Sequence, residues 1–279
     1  MILLARALAR LPLPLLHFLG GLLGVLAYLV SPKFRRPLRE NLRIAGYRDR
    51  PRPVRVAAES GKAAFEMLAV WLRPQAEVLR WVREVRGEEH LAEAERRGKG
   101  VMVVTPHVGC FEMIAQWVSN RGPMTVLYRP PRMRSLEPIM LAGRGRANLK
   151  STTTDARGVR ALLKALRAGE AIGMLPDQVP SRGEGEWTEF FGRPAYTMTL
   201  ATRLAETTGA TLMPIRAERL RWGRGYRLHI EPMPERLPNE TATRWMNRAM
   251  EGMIRATPEQ YFWDYNRYKV PAGVAPPAE

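Results

Sequence analysis

The chain is expected to fold as an α/β domain: a central, mostly parallel sheet flanked by helices, preceded by an N-terminal membrane-anchor helix. Three observations point there. From about residue 85 onward, short apolar runs alternate with amphipathic segments, the pattern of strands separated by crossover helices and covered on both faces. Residues 11–30 carry no charge, the length a helix needs to cross hydrocarbon. The 279 residues contain no internal repeat or low-complexity tract, and they suffice for one sizeable core.

Taken in order, the apolar stretch comes first. Pro12 and Pro14 fall in its first turn, where proline is tolerated, and Gly20, Gly21 and Gly24 permit close helix contacts. Arg6 and Arg10 precede it; Lys33, Arg35, Arg36, Arg39 and Arg43 follow, and this heavier basic flank predicts that the rest of the chain stays cytoplasmic. A cleaved signal peptide is the competing reading, which the basic cluster opposes. The expected division is an anchor over 1–32 and an α/β domain over 33–279, with a helical lead-in over 33–84 and a flexible tail from about 271, rich in Pro, Ala and Gly.

Periodicity then predicts helices over 52–72, where Phe65, Leu68, Ala69 and Leu72 form a stripe, over 75–83 and near 88–97. A strand is expected over 101–105, a helix over 109–118, a strand over 124–128, and helices around 135–146 and 156–168. A strand over 171–175, a helix over 197–207, strands over 211–217 and 226–231, and a closing helix over 241–256 complete the alternation.

Chemistry concentrates where the strand at 101–105 ends. The stretch Thr105-Pro-His-Val-Gly-Cys-Phe-Glu112 places His107 in a strand-to-helix loop and Glu112 in the first helical turn. An imidazole with a carboxylate five positions on supplies a general base and a group to orient it, and loops after strands are where α/β proteins put their chemistry. The other three histidines have no carboxylate poised after a strand. No second His or Cys accompanies His107 at ligand spacing, so no metal is expected. The single cysteine, Cys110, lies inside the motif and raises a covalent alternative, with the thiol as nucleophile and His107 as its base.

The motif resembles the H-x4-(D/E) block of the glycerolipid acyltransferase superfamily. Its surroundings are similar to one branch, the bacterial lipid A secondary (lauroyl/myristoyl) acyltransferases. The resemblance runs from Asn41-Leu42 through Leu127-Tyr-Arg-Pro130, Gly143-Arg-Gly-Arg146, Ala161 to Gly169, Met174-Leu-Pro-Asp-Gln178, Phe190 to Ala195 and Pro258 to Trp263, with Arg267 after it. It covers nearly the whole chain in the family's order. It implies an α/β acyltransferase in which Asp177 and an Arg of the 143–146 block join His107 and Glu112, with Arg129, Arg144, Arg146, Asp177 and Gln178 as the substrate-binding set. It also implies an acyl carrier protein thioester as co-substrate, no bound cofactor, and a phosphorylated glycolipid acceptor. The segment Val179 to Gly185 departs from the Gly-Pro-rich loop of the family, which bears on its acceptor contacts.

The mechanism expected is removal of a proton from the acceptor hydroxyl by His107, with Glu112 fixing the imidazole tautomer and Arg144 or Arg146 facing the oxyanion. The alternatives are an acyltransferase acting on a lysophospholipid or another glycolipid, and a non-catalytic basic membrane-binding protein. The formal net charge of +17 fits either an anionic inner-membrane leaflet or an acidic carrier protein. Nucleic acid is not expected, because zinc-finger spacing, a recognition-helix module and an aromatic RNA-binding signature are all missing.

Overall fold

The computed structural model describes residues 2–128, 137–146 and 148–277. Its centre is a seven-stranded sheet built from β1 (Val82–Arg86), β2 (Val101–Val104), β3 (Met124–Tyr128), β4 (Leu149–Thr153), β5 (Ala171–Met174), β8 (Thr211–Arg219) and β9 (Tyr226–Ile230). The order is β1-β9-β8-β2-β5-β3-β4. Every pairing is parallel except β8 with β9, which are joined by a short 3-10 turn over Arg221–Gly223 and so run antiparallel. A two-stranded hairpin, β6 (Gly185–Phe190) with β7 (Arg193–Met198), stands apart from the sheet.

Central strands β2 and β5 sit side by side, and β2 is buried along its whole length. That is why their apolar runs are visible in the sequence. The sheet edges are different. β1 reads VREVR and β4 reads LKSTT, charged or polar sequences of the kind that protect an edge from further pairing. Neither was expected from hydrophobic runs, and the hairpin, whose first strand reads GEWTEF, was not expected either.

The crossover helices are α6 (Glu88–Arg96), α7 (Phe111–Arg121), α8 (Glu137–Arg144), α9 (Ala156–Arg167) and α10 (Leu200–Thr208), and α11 (Ala242–Ala256) closes the fold. One apolar cluster joins β2 and β5 to α9, α10 and α11; a second joins the sheet to α6, α7 and α8. The sheet is therefore covered on both faces.

Five helices precede the alternating part: α1 (Ile2–Ala9), α2 (Leu13–Val30), α3 (Pro32–Ile44), α4 (Pro53–Leu72) and α5 (Gln75–Leu79). Among the described residues α2 is the one helix long and apolar enough to cross a membrane. Yet the division expected at residue 32 is not a break in packing. Leu13, Leu16, His17, Gly20, Gly21, Gly24 and Tyr28 form a buried stripe that lies along α4. A Cβ at Gly24 would stand 2.1 Å from the Ala57 carbonyl, and one at Gly61 would stand 2.0 Å from the Gly20 carbonyl. Only glycine lets the two backbones approach this closely.

Below that seam lies a buried ionic cluster. His17 donates through Nε2 to Glu66 Oε2 at 2.9 Å, and Glu66 also accepts from Arg219 Nε at 2.7 Å and from the Tyr226 hydroxyl at 2.8 Å. Arg219 reaches Glu59 as well, at 2.6 Å. Burial alone would raise the Glu66 carboxyl, but the Arg219 guanidinium and His17 hold it far below the ordinary carboxylate range.

Candidate active site

The parallel pairing of β2 with β5 builds the site. Val104 pairs with Met174, and His107 and Asp177 each lie three residues past that step, at the carboxyl ends of adjacent strands. Such ends are where open α/β sheets place ligands. Asp177 Oδ2 accepts the His107 backbone N–H at 2.9 Å, and its Oδ1 lies 2.8 Å from His107 Nδ1. An ionised carboxylate only accepts, so Nδ1 carries the proton and Nε2 presents a lone pair. Burial alone would raise the Asp177 carboxyl, but the bonds to His107 hold it below its ordinary value.

The His107 loop is pinned on its other side. Phe262 N–H donates to the His107 carbonyl at 3.1 Å, Gly109 N–H to the Gln260 carbonyl at 3.0 Å, and Cys110 N–H to the Ala217 carbonyl at 2.9 Å. Gly109 has φ +60°, and a Cβ there would lie 1.9 Å from the Ala217 oxygen, so glycine is required. Because that turn takes up residues 107–110, the helix begins at Phe111 rather than at 109. The imidazole is flanked by Phe111 and Phe262, with ring centres at 4.9 and 6.1 Å.

Glu112 does not perform the role expected of it, because the orienting partner of His107 is Asp177. The Glu112 carboxylate is buried and accepts from Trp71 Nε1 at 2.9 Å and from Arg144, whose guanidinium engages both of its oxygens. Burial would raise it; Arg144 holds it low.

The block 143–146 has a structural logic. Gly143 lies against Trp71, where a Cβ would come within 2.6 Å of its backbone. That contact seats α8 on α4 and delivers Arg144 to Glu112. Arg146 turns to the carbonyls of Val70 and Trp71 in the last turn of α4 and of Arg73 just past its end, groups that lack partners within the helix. Arg146 is absent from the cavity wall, whereas Arg144 lines it, bonded to Glu112 through Nε and Nη2. Arg129 lies outside the described residues.

A cavity of about 500 Å³ opens beside His107. Its polar end holds His107, Glu112, Arg144 and Gln178; its walls include Val126, Met140, Met174, Met198 and Leu200. The Gln178 side-chain amide lies 3.3 Å from His107 Nε2 and donates to it. Pro180, Gly183 and Glu184, from the segment that departs from the family pattern, also border the cavity. Cys110 does not. It is buried, and burial raises its thiol well above its ordinary value, which leaves no thiolate to attack a thioester. The covalent alternative fails on that placement.

Strand adjacency was invisible in the sequence, so His107–Asp177 could be expected there only from the resemblance. A general base beside an apolar-walled cavity, held by a carboxylate, is the equipment for transfer to a hydroxyl. The family model for bacterial lipid A biosynthesis acyltransferases matches residues 1–270, which sets the class as an acyltransferase. Similar proteins include the lipid A biosynthesis palmitoleoyltransferase of Escherichia coli (strain K12), 30% identical over 93% of this chain and 87% of the relative. The lauroyltransferase of the same strain is 30% identical over 95% of this chain and 89% of its own length. Its myristoyltransferase is 25% identical over 88% and 86%. The chain belongs to the bacterial lipid A biosynthesis acyltransferase family.

Proposed function

We propose that this protein transfers a fatty acyl chain from an acyl carrier protein thioester to a hydroxyl of a phosphorylated lipid A precursor, at the cytoplasmic face of the bacterial inner membrane. The observation that carries the reading is the His107–Asp177 pair at the polar end of an apolar-walled cavity. The wall accommodates an acyl chain, and the polar end takes the reacting carbonyl. The family and its relatives support the acceptor class; the +17 surplus supports an acidic donor protein and an anionic leaflet. No bound cofactor enters this chemistry.

In the reaction, the acceptor hydroxyl replaces Gln178 as the partner of His107 Nε2 and gives up its proton as its oxygen attacks the thioester carbon. Asp177 holds the imidazole by Nδ1, and the carboxylates of Asp177 and Glu112 stabilise the imidazolium that forms. The Gln178 amide borders the carbonyl oxygen as negative charge develops there. Collapse forms the ester C–O bond and breaks the C–S bond, and His107 returns the proton to the departing sulfur. The test is mass spectrometry of a lipid A precursor incubated with the purified protein and an acyl carrier protein thioester. The expected product is heavier by one acyl group, and His107→Ala abolishes it. Acylation of a lysophospholipid with the precursor left untouched would replace this reading with the phospholipid one.

A further inference from the structure

The apolar helix α2 has two faces that make different demands. One face is packed on α4 through the glycine seam and ends in the His17–Glu66 bond. Along the other, Leu15, Phe18, Leu22, Leu26 and Leu29 recur at helical spacing and are exposed from one end of the helix to the other. On α1, Leu3 and Leu4 are exposed as well, at 81% and 64%.

Trp222 joins it from the catalytic domain. It is 85% exposed and held at φ +62° in the turn between β8 and β9, and the next residue, Gly223, abuts Pro14 at the start of α2. Exposed cations flank these segments: Arg10 before α2, Lys33 and Arg36 after it, and Arg221 and Arg224 beside the tryptophan. Trp is the residue that settles at the headgroup level of a bilayer, and clustered Arg seeks anionic headgroups.

A crossing helix does not fit this packing. α2 lies along α4, and α4 carries Arg55, Glu59 and Lys62; the Lys62 stem covers Gly21, and Lys62 pairs with Glu59. Taking α2 through the hydrocarbon would carry these charges with it, and each is costly at the bilayer centre. The other route, pulling α2 off α4, would strip His17 from a fully buried Glu66. Both ends of α2 are also tied to the same body. Arg73 on the α4 side donates to the carbonyls of Ala9 and Leu11, and Tyr28 packs in the main core beside Leu38 and Leu42.

We propose that α1, the outer face of α2 and Trp222 form a single in-plane docking surface for an anionic leaflet, so that α2 lies on the bilayer without crossing it and α1 stays on the catalytic domain's side. This deepens the membrane reading above, and its tests use no acyl transfer, so failure of the enzymatic reading leaves them intact. In a Cys110→Ser background, Arg10→Cys and the reference Arg157→Cys on α9 are probed in spheroplasts with a membrane-impermeant maleimide. Protection of both from outside is expected; labelling of Arg10→Cys alone in intact spheroplasts would establish a crossing helix and overturn the proposal. Flotation of the purified full chain with phosphatidylcholine vesicles containing phosphatidylglycerol supplies the second readout. Phe18→Ser/Leu22→Ser/Leu26→Ser and, separately, Trp222→Ala are expected to lower partitioning, the triple variant tenfold or more, with an unchanged melting midpoint. Undiminished binding by both variants would also overturn it.

Discussion

Two histidine–carboxylate pairs in this protein are nearly identical as bonds and opposite in use. His107 meets Asp177 at 2.8 Å and His17 meets Glu66 at 2.9 Å, and both carboxylates are buried. Around Glu66 every direction is filled: Arg219 and Tyr226 saturate the carboxylate, and His17 is sealed between α2 and α4. Around His107 one direction is open, because Nε2 faces a cavity and meets only an exchangeable amide. The comparison teaches that the pair itself is not the function. An unfilled coordinate beside space for a substrate turns the same chemistry from a fastener into a tool.

The largest expected effect separates the two directly. His107→Ala is expected to lower kcat roughly 10²- to 10⁴-fold, the usual contribution of a general base, with little change in melting midpoint. Glu66→Ala is expected to do the reverse, costing about 3–5 kcal/mol of stability by leaving the Arg219 charge buried without its main partner. Chemical denaturation of both proteins, beside steady-state rates of the folded fraction, checks this. A stable Glu66→Ala protein would mean that the cluster is not holding α2 to the body.

A smaller effect sharpens the assignment of the carboxylates. Asp177→Asn keeps the shape but replaces one of the two acceptor oxygens and the charge with an NH2 donor, so that the backbone N–H and Nδ1–H of His107 can no longer both be accepted and kcat is expected to fall on the order of 10²-fold at an unchanged midpoint. Glu112→Gln is expected to act mainly on stability, since it leaves Arg144 buried against a neutral amide. If Glu112→Gln lowered kcat more than Asp177→Asn while melting normally, the roles given to the two groups would be exchanged.

Acid weakens both regions alike. Burial opposes ionisation of Asp177, Glu112 and Glu66, yet their partners hold all three below the ordinary carboxylate range. A depressed folded value stabilises fully above the unfolded value, about 4, and that stability drains away as pH falls through the folded values. The melting midpoint is therefore expected to decline below about pH 4 as protons bind these groups in the unfolded chain first. The smallest effect is expected from Cys110→Ser, which lies behind the cavity and should retain most activity in the acyl-transfer assay. Loss of activity in a well-folded Cys110→Ser enzyme would reopen the covalent route.

The sequence announced some of this and concealed the rest for identifiable reasons. Buried strands such as β2 are continuous apolar runs and could be read; edge strands β1 and β4 are polar because edges must be, so β4 looked like a loop and the start of β1 fell into the helix expected over 75–83, which ends at Leu79. His107 stood out locally, but its true partner lies 70 residues away, joined through the adjacency of β2 and β5. Glu112 was conspicuous because it is near in sequence, and proximity along the chain misassigned its role. The helix α2 was recognised from its lack of charge, whereas its packed face was hidden because glycine and a single histidine do not stand out in an apolar run.

The step shared by Val104 and Met174 has one more consequence. Neighbouring strands lie about 4.8 Å apart whatever their side chains, so the sheet works as a gauge block that sets the gap between the two loops. Drift in the outer layers leaves such a gauge untouched, whereas one inserted residue between 104 and 107, or between 174 and 177, would throw the imidazole and the carboxylate out of step. Variants of this enzyme can therefore remodel the cavity walls freely, provided that both three-residue counts are kept.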